Sequence, residues 1–94
     1  VSDYKLIWQP CALADLNRLR SFIKPHNIIA ASRASATILR ATERILQYPQ
    51  IGQLIFAEFY ELFIPFGRRG YILRYRLQGD VIIILRIWHS LEKR

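Results

Sequence analysis

The groups able to do chemistry in this chain are few, and most of them are arginines. There is one cysteine, Cys11, and there are two histidines, His26 and His89. A single thiol forms no internal disulfide and builds no thiolate metal cluster, and such sparing use of cysteine suits a reducing compartment. A histidine near neutral pH can serve as a general base. His26, however, sits in Pro25-His26-Asn27 and reads as an exposed turn residue. Ser90 follows His89, but a serine hydroxyl is no nucleophile without a base placed beside it. What remains is Arg68, Arg69, Arg74, Arg76 and Arg86, with Trp88 beside the last of them. Guanidinium groups engage phosphates and carboxylates through paired N–H donors. Lys and Arg number 14 against 7 Asp and Glu, a net charge of +7. That surplus points to nucleic acid or an acidic protein as partner, or serves only solubility. No set of side chains implies a metal or an organic cofactor.

These side chains must be positioned by a small fold. The chain has 94 residues, 52% of them apolar, which suits one domain over residues 1–94 with one hydrophobic core. The amino terminus carries no apolar segment of an export signal. The longest uninterrupted apolar run is residues 81–85, too short to span a bilayer. A cytoplasmic protein that makes no use of a membrane is therefore expected.

Residues 4–8 read as a strand, followed by Pro10 at a turn or first helical turn. In residues 11–24, Ala12, Leu16, Leu19 and Ile23 recur at helical spacing, and Pro25 breaks the helix. Asn27 is a suitable N-cap for a second helix over residues 28–48, with Ala31, Ala34, Ile38, Ala41 and Ile45 on one stripe. The short connection makes the two helices an antiparallel hairpin. Residues 59–65, 71–78 and 81–89 read as strands, joined by the basic turn around Arg68 and Arg69 and by a tight turn at Gln78-Gly79-Asp80.

The fold expected is α+β, in the order β-α-α-β-β-β: a largely antiparallel four-stranded sheet with the N-terminal helical hairpin on one face. Strict alternation puts Tyr71, Leu73, Tyr75 and Leu77 toward the helices. It puts Ile72, Arg74 and Arg76 on the outer face, joined from the last strand by Ile82, Ile84, Arg86 and Trp88. Arginines mixed with exposed apolar groups mark that face as an interaction surface. Trp88, Phe56, Phe59 and Phe66 are expected to be exposed and to supply the apolar share of a protein interface. His89 falls on the helix side with Ile83, Leu85 and Ile87, as a structural residue.

Several local signatures occur in a telling order. Leu6-Ile7-Trp8 ends the first strand, and Ala12-Leu13-Ala14-Asp15-Leu16 opens the first helix. Leu46-Gln47-Tyr48-Pro49-Gln50-Ile51-Gly52 closes the second. Glu61-Leu62, Tyr71-Ile72-Leu73-Arg74-Tyr75-Arg76-Leu77 and Ile84-Leu85-Arg86-Ile87-Trp88-His89 follow on the strands. Together they cover nearly the whole chain, which resembles the RelE/ParE toxin superfamily.

The resemblance implies a toxin of a type II toxin–antitoxin system, bound by a cognate antitoxin in a hetero-oligomer. RelE-like members of that superfamily cut messenger RNA on the ribosome, whereas ParE-like members poison DNA gyrase. The ribonucleases carry two lysines on the second strand of the family pattern, where this chain has Glu61 and Phe63. They carry an arginine after the aromatic of the next strand, where it has Ile72. Some end the last strand in His-Tyr, where it has His89-Ser90. An acid in place of a phosphate-binding cation has the wrong sign. The resemblance thus favours the ParE-like branch: no catalytic residue, DNA gyrase as target, and Arg68, Arg69, Arg74, Arg76, Arg86 and Trp88 as the surface for target or antitoxin. Two other readings stay open. One is a ribonuclease using Arg74, Arg76, Arg86 and His89; the other is a member that only binds its antitoxin.

Overall fold

The computed structural model describes residues 3–23 and 27–92; the expected helix break at Pro25 and the turn at His26 lie outside them. Strand β1 (Lys5–Trp8) leads into helix α1 (Pro10–Ile23). Pro10 is the first helical residue, where its missing N–H costs nothing, and the Gln9 carbonyl accepts from Ala12 and Leu13 instead. Helix α2 (Ile28–Gln47) begins at Asn27, whose side-chain oxygen accepts the Ala30 N–H at 3.0 Å. It buries Ala31, Ala34, Ile38, Ala41, Thr42 and Ile45, the alanine-rich stripe expected from the spacing. Strands β2 (Gln53–Phe56), β3 (Phe59–Phe66), β4 (Arg69–Gln78) and β5 (Val81–His89) complete the chain.

The sheet has five strands in the order β1-β5-β4-β3-β2, with β1 parallel to β5 and every other pair antiparallel. The α+β class and the helical hairpin on one face are as expected. The strand count is not: β2 is an additional edge strand. All four of its residues are exposed, so no buried face imposed an alternation from which it could be read. The hairpins close on two-residue turns. Gly67 and Gly79 take φ of 61° and 60° at their first positions, a conformation open to glycine. At the β2–β3 tip, Ala57 holds φ 49°, where a Cβ is strained.

The core lies between the hairpin and one sheet face. Tyr71, Leu73 and Tyr75 of β4 are buried there with Tyr60, Leu62 and Ile64 of β3. The Tyr75 hydroxyl donates to the Pro49 carbonyl at 2.7 Å and accepts the Gly52 N–H at 3.0 Å. It thereby ties the turn after α2 to the sheet. A Cβ on Gly52 would come within 2.9 Å of the Glu61 carbonyl oxygen and of that hydroxyl, which gives the Pro49–Gly52 spacing a physical reason.

On β5 the simple alternation fails. Tyr75 pairs with Ile84 but Arg74 pairs with Arg86, so Leu85 is an extra residue in a β-bulge. The bulge reverses the faces. Ile82 and Ile84, expected on the outer face, are fully buried in the core together with Ile87. Arg86 and Trp88 do lie on the outer face, opposite Arg74 and Ile72. Trp88 is nevertheless not an exposed anchor, being 8% accessible. Phe66 is turned to the core, 6.0 Å from the Tyr71 ring. Phe56 remains exposed.

Candidate functional site

The outer sheet face is a lattice of aromatic rings and ion pairs. Arg74 donates from Nε and Nη2 to Glu61 Oε2 at 3.0 and 2.7 Å across the β3–β4 ladder. Arg76 donates from Nε to Glu58 Oε2 at 2.6 Å. Two guanidinium groups lie over the Trp88 ring, with Arg74 Cζ 4.9 Å and Arg86 Cζ 5.3 Å from its centroid, and the indole attracts both cations. Arg76 lies 5.5 Å from the Phe59 centroid, and Phe59 stacks on Phe56 at 5.0 Å. Beside them a hollow of about 300 Å³ is lined by Ile55, Phe56, Phe59, Arg74, Leu85 and Arg86.

The third arginine is held from α1. Arg86 donates from Nε to Asp15 Oδ2 at 2.7 Å and from Nη2 to Oδ1 at 3.2 Å. Asp15 Oδ2 also accepts the Ile87 N–H at 2.9 Å, and Arg18 donates to the Ile87 carbonyl at 3.3 Å. These bonds satisfy the strand edge that β1 leaves open beyond Ile84. Burial pushes the Asp15 carboxyl up, but the hydrogen bonds from Arg86, Ile87 N–H and Arg18, with the Arg86 charge, outweigh it and leave it below the ordinary value. Arg18 also donates to Glu92 Oε2 at 2.6 Å, and Glu92 Oε1 accepts the His89 N–H at 2.8 Å, so the C-terminal turn is fastened to α1.

His89 lies on the core face. Its ring meets Tyr71 edge-on at 5.5 Å, and Nδ1 accepts the Leu91 N–H at 3.2 Å. It lines an apolar groove of about 570 Å³ with Leu19, Phe22, Ile23, Tyr71 and Leu91, bordered by Arg18, Ser21 and Glu92. The sheet therefore separates His89 from Arg74 and Arg76, which point to the other side. The structure brings Arg74, Arg86 and Trp88 together, with Arg76 next along the face. It leaves Arg68 and Arg69 exposed at the β3–β4 tip, without an ion pair among the described residues. Cys11 is exposed at the start of α1.

Sequence reasoning passed over the acidic half of this site. Asp15, Glu58, Glu61 and Glu92 take the ion pairs of Arg18, Arg74, Arg76 and Arg86. Glu61 lies directly across the ladder from Arg74, a pairing that depends on strand register. Asp15 and Arg86 are 71 positions apart, and nothing local joins them. Chemically, the face offers guanidinium groups already engaged by carboxylates, so a phosphate would have to displace an intramolecular partner.

The comparisons agree with this architecture. A model of the ParE toxin of the type II toxin–antitoxin system parDE matches residues 6–94. Toxin RelE3 of Caulobacter vibrioides is 39% identical over 85 residues, covering 90% of this chain and 92% of that one. Toxin RelE1 of the same organism is 35% identical over 83 residues, covering 88% and 89%. The solved chromosomal ParDE system of P. aeruginosa contains a chain that superposes with a TM-score of 0.77 at 22% identity, over 93% of this chain and 96% of that one. No helix among the described residues is long and apolar enough to cross a membrane. The chain belongs to the ParE toxin family, within the RelE/ParE superfamily of type II toxin–antitoxin toxins.

Proposed function

We propose that this toxin acts in the cytoplasm without chemistry of its own, by binding and inhibiting DNA gyrase, and that a cognate antitoxin neutralises it in a hetero-oligomer. The observation that carries the reading is the state of the outer sheet face. Arg74, Arg76 and Arg86 are each engaged by a carboxylate, and the described histidine lies across the sheet from them. A ribonuclease needs a base, a phosphate clamp and an acid converging on one bond. Arg68, Arg69, Arg74, Arg76 and Arg86 are the residues proposed to meet gyrase or the antitoxin, with the buried Trp88 beneath Arg74 and Arg86, positioning both. The purified chain is expected to inhibit gyrase supercoiling or to trap cleaved DNA. Absence of both effects, together with cleavage of ribosome-bound messenger, overturns the reading.

A second reading has one observation in its favour: the curated relatives carry the name RelE. Under it the chain cuts messenger, and replacing both Arg76 and His89 with alanine abolishes cleavage. For the antitoxin, a chain of charge +7 predicts that association slows as salt rises. An association rate indifferent to salt would mean a mainly apolar interface.

A further inference from the structure

The four arginines and four carboxylates that form ion pairs among the described residues cancel one another. Ten cations and three carboxylates of the chain remain, so the whole net charge of +7 rests on residues outside those pairs. Three of those cations form one line. Arg33, Arg40 and Arg44 stand seven and four residues apart on α2, all exposed, on the side of the helix away from its buried stripe of Ala31, Ala34, Ile38, Ala41 and Ile45. A rise of about 1.5 Å per residue sets them roughly 10 and 6 Å apart along the axis. Arg40 is steadied by Thr37, whose hydroxyl accepts its Nη2–H at 3.3 Å and donates to the Arg33 carbonyl at 2.8 Å. Glu43, the carboxylate of α2, is exposed beside Arg44 and makes no ion pair with any of the three among the described residues.

We propose that the Arg33–Arg40–Arg44 line on α2 is a phosphate-contacting surface for double-stranded DNA. Three guanidinium groups in a row along a rigid helix, none held by a carboxylate among the described residues, match a polyanion with regularly repeated charge. The arginines of the sheet face, by contrast, are already neutralised. The inference deepens the gyrase reading, because it lets the toxin hold the DNA that its target holds. It rests on that reading only in choosing DNA among polyanions.

The test uses the purified chain without gyrase, so that failure here and failure of the gyrase reading are separate results. Binding to a short duplex is followed by fluorescence anisotropy across a salt series. With three contacts, the logarithm of affinity should fall against the logarithm of salt with a slope of at least about −2.7. Each of Arg33→Gln, Arg40→Gln and Arg44→Gln should make the slope shallower by about 1. Glutamine keeps the helix propensity, and an unchanged circular dichroism spectrum confirms the fold. Lys5→Gln removes the same charge from β1 and should leave the slope as it is. An unchanged slope in the triple variant, or an equal change with Lys5→Gln, overturns the proposal. So does a triple variant that keeps its DNA affinity and loses only its antitoxin, since the line would then serve an acidic protein. Tighter binding to a structured RNA than to the duplex at equal salt overturns the choice of DNA.

Discussion

The two halves of β5 are stabilised by different means. From Val81 to Ile84 the strand has a backbone neighbour on each side, β1 and β4. Its inward side chains, Ile82 and Ile84, are fully buried. Beyond Ile84 the β1 ladder has ended, the last bond being the Gln9 N–H to the Ile84 carbonyl at 3.0 Å. There the Leu85 bulge intervenes, and α1 takes over the open edge with the Asp15 carboxylate and the Arg18 guanidinium. One half thus depends on apolar burial and a closed ladder. The other depends on an ionised carboxylate where β1 no longer supplies a backbone partner. Each half should fail in its own way.

The largest effect is expected in the first half. Ile82→Lys places an unpaired charge in the core and should cost more than about 4 kcal/mol, seen as loss of soluble folded protein. The same change would be mild if Ile82 lay on the outer face, as alternation without the bulge requires. In the second half, Asp15→Ala strands the Ile87 N–H and releases Arg86. Removing one member of a buried pair can cost about 3 kcal/mol or more, but the Arg86 and Arg18 side chains are both 44% exposed and can turn to water. A loss of about 2–3 kcal/mol is therefore expected in urea unfolding. A loss below about 1 kcal/mol would mean that water serves the edge as well as Asp15 does, and the contrast between the halves would fall.

The pH dependence separates the halves further. Asp15 and Glu92 are both held below their ordinary values. For each, burial works against ionisation and is outweighed: at Asp15 by the bonds from Arg86, Ile87 N–H and Arg18, at Glu92 by the His89 N–H and Arg18. A carboxyl depressed by folding adds stability that is complete above its unfolded pKa, about 4. That stability is lost as pH falls through the folded value. Thermal stability should thus be level from neutral pH to about 5 and decline below about 4. Asp15→Asn should flatten that acid limb, and Glu92→Gln should do so less, because its pair is the more exposed. An acid limb identical in Asp15→Asn would show that other carboxylates set it.

These contrasts also explain what could be read in the sequence. The helices, the N-cap at Asn27, the β4 alternation and the limits of β5 follow from local periodicity and turn chemistry, and the structure has them. The facing of Ile82 and Ile84 does not follow, because a bulge is one uncompensated residue in an apolar run where either face looks the same. The exposed β2 carries no alternation to read. The arginines of the site were visible as residue types. Their engagement by Asp15, Glu58 and Glu61 depends on cross-strand register and on a helix brought from the other end of the chain, which only folding supplies. Charge counted along the sequence therefore pointed at the sheet face, while among the described residues arginines without an ion pair lie on α2, at the β3–β4 tip and at Arg20 of α1.

The smallest effect tests whether the outer-face ion pairs resemble the α1–β5 seam or merely decorate the sheet. Glu61 and Arg74 sit opposite each other where the β3–β4 ladder is unbroken from Phe59 to Phe66, so the backbone does not need them as it needs Asp15. Their side chains are 18% and 38% exposed, and solvent screens the pair. A double-mutant cycle of Glu61→Gln and Arg74→Gln should give a coupling of about 0.5 kcal/mol, well under the cost of Asp15→Ala. A coupling above about 2 kcal/mol would place this pair with the buried ones and point to the Trp88 ring as the reason, since Arg74 is held by ring and carboxylate together. The triple cycle with Trp88→Leu decides that: if the ring holds Arg74 in place, the Glu61 coupling falls when the indole is removed, and if the carboxylate alone holds it, the coupling stays.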